Sequence, residues 1–313
     1  MHASQVHEWI KRDIHSLQGY TAIDQIHKGY SGDMKFVVGK HDKSYLLKCF
    51  GLNDMEQKQA EYDVLKQLES LGVKCSYAIE IGRLTGVELG YMVMTYVEGD
   101  DASDMLPRYP EEEQYQIGLE AGSQLRLIHQ LTADKRMEDW YKRKLAKYRN
   151  YVEQYKQCGV RIAGDSRILA FIEEHLHLMK NRPNLFQHDD YHTANLIVRN
   201  HAFAGVIDFN RMDWGDPVHE FLKTGFFSAE VSVPFSIGQI RGYHHRNDPS
   251  ERFWQLYALY VAMCTISSIA WIMKVKPDEL SIMMAKVERV IEDHDQFTRM
   301  MPRWYDTWKD RLD

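Results

Sequence analysis

The chain has 313 residues, 44% of them hydrophobic and 27% charged. That is the composition of an ordinary globular protein, long enough for two lobes, and it excludes a disordered or low-complexity chain. A net charge of -6 argues against a dedicated nucleic-acid binder, which carries a basic face.

The first segment, MHASQVHEWIKRD, has no apolar run of the kind found in a signal peptide. Lys35–Val38 and Ser44–Phe50 read as strands joined by the polar GKHDK, a hairpin signal. Met55–Leu71 then shows helical spacing, with Ala60, Val64, Leu65, Leu68 and Leu71 on one face and Gly72 as the stop. AIEIGRL and LGYMVMTYV supply two more strands. The acidic EGDDASD (Glu98–Asp104) marks a boundary between residues 1–97 and residues 98–313.

Beyond the boundary, helices dominate. Pro110 with Glu111, Glu112 and Glu113 is a helix start, since proline suits the first turn and acids suit the positive end of the dipole. A basic, tyrosine-rich helix is expected over about 134–157. Its charges read as a solvated face rather than an RNA contact. Two strands, FQHDDYHTANLIV and FAGVIDF, flank RNHA, and the rest is again helical. Phe253–Met273 carries no charged residue and is long enough to span a bilayer, but interrupting polar residues favour a buried core helix. Cys49, Cys75, Cys158 and Cys264 form no C-x-x-C pair. Reduced thiols and a cytoplasmic location are therefore expected.

The strand-flanked FQHDDYHTANLIV carries the chemistry. His188 and His192 have a spacing used by zinc sites on helices, but the strand-like flanks mean that the two need not share a face. Phosphoryl transfer asks for something else. It needs a carboxylate to accept the hydroxyl proton, oxygen ligands for a metal, and a lysine against the phosphates. His188, Asp190 and Asn195 fall in the H-x-D-x-x-x-x-N order of kinase catalytic loops. Thirteen residues on, Asp208 ends an apolar strand, where a metal-chelating aspartate belongs. Upstream, Lys48 lies inside the apolar YLLKCF and Glu61 on the following helix could pair with it. Gly29, Ser31 and Gly32 form a turn whose amides could approach phosphate.

These residues resemble the aminoglycoside phosphotransferase and choline kinase-like family. The resemblance is carried by FQHDDYHTANLIV and GVIDFNRMDWGDPVHEF, with support from HKGYSGDMKFVV, YLLKCF, AEYDVLKQLESLGV and YMVMTYVEG. It implies an α+β, two-lobed protein-kinase-like fold, with a small sheet and one helix in the N-terminal lobe and a larger helical C-terminal lobe. It implies ATP or GTP as donor and Mg2+ as cofactor. Asp190 resembles the family's catalytic base. Asn195 and Asp208 resemble its metal ligands. Lys48 and Glu61 resemble its phosphate-gripping ion pair, and Met94, Tyr96 and Val97 resemble the hinge that meets the nucleotide base. Gly215, Asp216 and Pro217 match a structural signature. Asp189 stands where many relatives have glycine.

Protein kinases carry a long activation segment after the metal-binding aspartate. Here Asp216-Pro217 and Glu220 follow Asp208 too closely for one, so a small hydroxylated acceptor is expected. An aminoglycoside-type antibiotic is the first choice, with choline, homoserine or a sugar as alternatives. Asp189, Asp213, Glu220 and Glu230 are the acids near the motif that could meet a polycation. A degenerate kinase fold that only binds nucleotide is the rival. The expected partners are nucleotide and acceptor, with no nucleic acid and no membrane, in a monomer or homodimer.

Overall fold

The structure, a computed structural model, describes residues 3–27 and 32–311. It divides into two compact units, one of residues 1–100 with Ala204–Asn210, the other of Asp101–Phe203 with Arg211–Asp313. The division falls three residues beyond Val97. The short Ala204–Asn210, expected in the C-terminal lobe, joins the first unit. Its Val206 amide donates to the Lys74 carbonyl at 2.9 Å and pairs with Cys75 in a parallel bridge.

The first unit is a five-stranded antiparallel sheet in the order β1-β2-β3-β5-β4. Its strands are β1 (Ala22–Ile26), β2 (Met34–Lys40), β3 (Lys43–Gly51), β4 (Ala78–Arg83) and β5 (Leu89–Thr95). The β2–β3 hairpin turns at His41, which takes the left-handed backbone that a tight turn requires (φ +53°). Helix α2 (Met55–Ser70) carries the apolar face read from the sequence. A second helix, α1 (Ala3–Arg12), and strand β1 were not foreseen. Val6, Trp9 and Ile10 of α1 lie on one helical face and pack with Ile14, Leu17, Phe36, Leu47 and Val93 in a single core. A ten-residue helix gains most of its stability from such packing rather than from propensity.

The second unit opens with the short β6 (Asp100–Asp101) and α3 (Ala102–Met105). Then follow α4 (Glu111–Ile128), α5 (Trp140–Gln157), α6 (Asp165–His175), β7 (Leu185–Gln187), β8 (Leu196–Arg199), β9 (Ala202–Val206), whose residues from Ala204 on belong to the first unit, and β10 (Asp213–Gly215). The chain closes with α7 (Ala229–Val231), α8 (Val233–Tyr243), α9 (Glu251–Val275), α10 (Leu280–Asp293) and α11 (Arg303–Trp308). Helix α5 starts later than its basic composition suggests, because Asp139 caps it by accepting the Lys142 amide at 3.3 Å. Asn200 and His201, both with left-handed backbone, form the turn between β8 and β9. Helix α9 is long and apolar enough to cross a membrane by length and composition, yet most of its side chains are buried within the unit. Among the described residues all four cysteines are free.

Two glycine pairs fix the packing of α4 on α8. A Cβ at Gly118 would overlap the Phe235 carbonyl, one at Gly122 the Gln239 carbonyl, one at Gly238 the Tyr115 carbonyl and one at Gly242 the Leu119 carbonyl. The two backbones are therefore in contact where ordinary side chains would separate them. Gly122→Leu is expected to destabilise the protein by about 1–3 kcal/mol through overpacking. Urea unfolding reads it, and an unchanged midpoint would refute the close approach.

Candidate active site

In the first unit, Lys48 sits at the centre of β3, paired in register with Lys35 and Met92. It is 3% exposed. Its ammonium donates to Glu61 Oε1 at 3.1 Å and lies 3.9 Å from Asp208 Oδ1. Burial alone would lower the Lys48 pKa, but the carboxylates of Glu61 and Asp208 outweigh it and raise the value, so the lysine stays charged. Lys58, one helical turn before Glu61, approaches Glu61 Oε2 at 3.7 Å and Asp33 at 2.5 Å. Sequence reading missed this second lysine. Its only signal is the three-residue spacing that puts it on the Glu61 face.

Asp208 has a left-handed backbone (φ +68°), rare for a residue with a side chain. Its Oδ1 is buried and has no hydrogen-bond partner among the described residues. A buried carboxyl oxygen left without a donor, beside a lysine too far to donate, is an unfavourable arrangement that a bound cation would relieve. Met94 lies buried near the end of β5. The Tyr96 amide donates to the Ser44 carbonyl at 3.2 Å, so that donor is committed within the sheet. Val97 packs against Gly205, where a Cβ would stand 3.0 Å from its methyl. Gly32 is in open space, and Gly29 and Ser31 lie outside the described residues.

In the second unit, the loop between β7 and β8 holds Asp190 and Asn195. The Asn195 side-chain amide donates to the Asp190 carbonyl at 2.9 Å and to its carboxylate Oδ2 at 3.2 Å. The other oxygen, Oδ1, accepts from Lys223 at 3.0 Å and faces His192 Nε2 at 3.3 Å. Arg211 Nε lies 3.9 Å from Oδ2. Burial alone would raise the Asp190 carboxyl. The hydrogen bond from His192 and the Lys223 charge overcome it and hold the group well below the usual carboxylate range. Lys223 is raised in turn, because Asp190 and Asp189 outweigh its own burial. Lys223 had no signal in the sequence, where it lies 33 residues past Asp190 in a run read simply as helical. The chain after it is a π-helix over Thr224–Ser228, a form enriched at functional sites. The Thr193 amide donates to Ser228 Oγ at 3.3 Å, tying the loop to that segment.

The loop is held by its backbone. Glu220, 1% exposed, accepts from the Asp189 amide at 3.2 Å and from the Tyr191 amide at 3.3 Å. It is thus committed to the loop and faces no acceptor, against the expectation from its position. Its carboxyl is held low: burial would raise it, but the hydrogen bonds from His129 and the Asp189 amide and the attraction of the His129 and His188 rings outweigh that. Tyr191 OH reaches the Ala121 carbonyl at 2.7 Å. Asp189 has φ +57°, which explains why glycine suits this position. Its carboxyl is raised mainly by burial, and His219 Nδ1 faces it at 3.6 Å. Lys144 donates to the other nitrogen of His219 at 2.6 Å, and burial lowers that lysine to about 8.

Asp216 is fully buried. It accepts from Arg182 at 2.7 and 2.8 Å, from Tyr260 at 2.7 Å and from the Val218 amide at 3.0 Å. Its carbonyl receives the Gln187 amide, at the end of the strand that enters the loop. The signature Gly215-Asp216-Pro217 is therefore a brace. Asp213 pairs with Arg143 at 3.2 Å, and Glu230 pairs with Lys286 and lies 4.0 Å from Arg289. His188 and His192 each accept a backbone amide two residues on through Nδ1. Among the described residues no cluster of three or more His, Cys, Asp or Glu side chains could hold a metal alone. Magnesium does not need one, since it is bound by one or two carboxylates together with substrate phosphates and water.

A family model described as "Phosphotransferase enzyme family" matches residues 22–254. No curated protein matches in sequence. Among solved structures, the chain is similar to wild-type aminoglycoside 2'-phosphotransferase-IIIa in complex with GDP, with 12% identity, TM-score 0.68, 93% of this chain and 98% of that one. It is also similar to aminoglycoside phosphotransferase APH(4)-Ia, at 16% identity and TM-score 0.67 over 93% of this chain and 99% of that one. A third is the gentamicin complex of APH(2")-IIa, at 15% identity and TM-score 0.62, covering 92% and 96%. The fold is thus that of the kinase-like phosphotransferases.

Proposed function

The chain belongs to the phosphotransferase enzyme family, and from that premise we propose that it transfers the γ-phosphoryl group of ATP or GTP to a hydroxyl of a small acceptor. The observation that carries this reading is Asp190, a carboxylate kept ionised by Lys223 and His192 on a loop that also presents Asn195. The acceptor oxygen attacks the γ-phosphorus as its proton passes to Asp190. The bond from the γ-phosphorus to the β,γ-bridging oxygen breaks, and the nucleoside diphosphate leaves with that electron pair. Such a transfer asks little covalent chemistry of the protein, so positioning and charge neutralisation supply most of the catalysis.

Lys48 would hold the donor phosphates, itself oriented by Glu61. Asp208 and Asn195 would hold Mg2+, which neutralises charge on the phosphates when bound. The unpartnered Asp208 Oδ1 supports that assignment. The hinge segment Met94–Val97 would meet the nucleotide base. An aminoglycoside acceptor is supported by the names of the similar structures. Other hydroxylated metabolites are supported by the pairing of Asp213 and Glu230 with basic side chains. A binding-only role is disfavoured, because the lysine, the base and both metal-ligand candidates are all present.

Nucleotide consumption measured against a panel of aminoglycosides, choline, homoserine and sugars tests the reading. No turnover with any of them, and no binding of Mg-nucleotide, would sink it. Asp208→Ala is expected to weaken Mg-ATP affinity by about tenfold or more, the scale of one lost charge-assisted contact. Calorimetry with and without Mg2+ reads it. An affinity that matches the unaltered chain in both conditions would remove Asp208 from the metal site.

A further inference from the structure

The surroundings of Asp190 are basic beyond the Lys223 contact that keeps it ionised. Lys223 contacts it, Arg211 stands 3.9 Å away, and Lys144 lies behind His219. From Lys223 the cationic surface continues across one ring. Lys223 Nζ is 5.6 Å and Lys286 Nζ 5.8 Å from the centroid of Phe227, which the π-helix presents half-buried. Lys286 also lines a groove of about 520 Å³, together with Glu230, Ser281, Ile282, Ala285 and Arg289. Ile282 is 60% exposed there, so the groove has an apolar wall as well as two cations.

The acids along this route are already engaged. Glu230 is paired with Lys286, and Asp293 with Arg289 at 3.1 Å. Asp213 is paired with Arg143, and Glu220 is buried against backbone amides. A polycation would have to displace lysine or arginine from Glu230, Asp293 or Asp213, while meeting Lys223 and Arg211 beside the base. An anion would meet free ammonium valences at Lys286, which has three donors and one close carboxylate partner.

Building on the kinase reading, we propose that the acceptor is a hydroxylated small molecule carrying a carboxylate or phosphate. Lys286 receives the anionic group, Phe227 covers the carbon skeleton between, and the hydroxyl lies at Asp190. Like-charge juxtaposition near Lys223 then excludes polycations, a specificity set by repulsion as much as by attraction.

The test offers the full chain and Mg-ATP five acceptors: glucuronate, glucose 6-phosphate, glucose, glucosamine and gentamicin. Turnover is followed by diphosphate release. The expected order places one or both anionic sugars at least about tenfold above glucosamine and gentamicin in kcat/KM, the scale of one charge-assisted contact. The two anions separate a carboxylate preference from a phosphate preference. Lys286→Glu should raise the KM for the preferred anion by about tenfold or more, and Lys286→Arg should restore it. An unchanged Mg-ATP affinity in both variants certifies that they are folded. Gentamicin or glucosamine as the better acceptor overturns the charge assignment and leaves the kinase reading intact. So does an unchanged KM in Lys286→Glu, and so does Mg-ATP binding without turnover of either anion. A chain that neither binds nor consumes Mg-ATP with any of the five overturns both readings.

Discussion

Asp190→Asn is expected to lower kcat by about 10²–10⁴-fold, the usual contribution of a positioned general base, while Mg-ATP still binds. The amide keeps the shape of the side chain and can still meet Asn195, but it cannot take a proton. His192 and Lys223 now face a neutral group, which keeps part of their hydrogen bonding and loses the charge. Nucleotide contacts proposed for Lys48 and Asp208 are untouched, so the loss should fall on kcat. The pH profile offers a second check. Asp190 is held below the ordinary carboxylate range, so it stays ionised as the pH falls through that range. Its stabilising contacts are present above the unfolded pKa and are lost only as the pH drops through the lower folded one. An acid limb near ordinary carboxylate values would therefore belong to another group. Near-normal turnover in Asp190→Asn would refute its role as base.

The second large effect is expected at a residue that touches no substrate. Glu220→Ala removes the acceptor of two backbone amides, those of Asp189 and Tyr191, which flank the base on either side. Each buried donor left unsatisfied costs about 1–3 kcal/mol, so a loss of several kcal/mol is expected. A loop released from that clamp also misplaces Asp190, and small misplacements are costly in catalysis. Glu220→Gln keeps an acceptor oxygen for one amide and should recover part of both losses. The measurement pairs urea unfolding with kcat. If Glu220→Ala lowers stability but leaves kcat unchanged, the clamp is structural only. If neither changes, the hydrogen bonds carry no weight.

Residues whose proposed roles rest on short spacing were legible in the sequence. His188, Asp190, Asn195 and Asp208 stand in an order few chains produce by chance, and that motif is what made a pairing of Lys48 with Glu61 worth expecting. The structure places Lys48, Glu61 and Asp208 together, and Asp190 with Asn195. Residues that act from a distance in sequence were not legible. Lys223 carries no local mark, and the π-helix that follows it breaks the 3.6-residue period from which a helical face is read. Glu220 was visible as an acid near the motif, but composition cannot tell a carboxylate facing solvent from one facing two buried amides. Asp189 looked like an extra acid beside the base. Its left-handed backbone makes it first a matter of chain geometry. The glycines of α4 and α8 gave no signal either, since each pair is meaningful only once the other helix is known.

The segment Ala204–Asn210 has a consequence for taking the molecule apart. The chain leaves the first unit after Asp100, returns for seven residues, and leaves again. A fragment ending at Asp100 would carry Lys48 and Glu61 but lack Asp208 and the strand that bonds Lys74. No single cut separates the two units, and no single-junction chimera can exchange one for that of a relative. A swap that respects the fold must transplant two pieces of chain, and the shorter one carries the aspartate proposed to hold the metal.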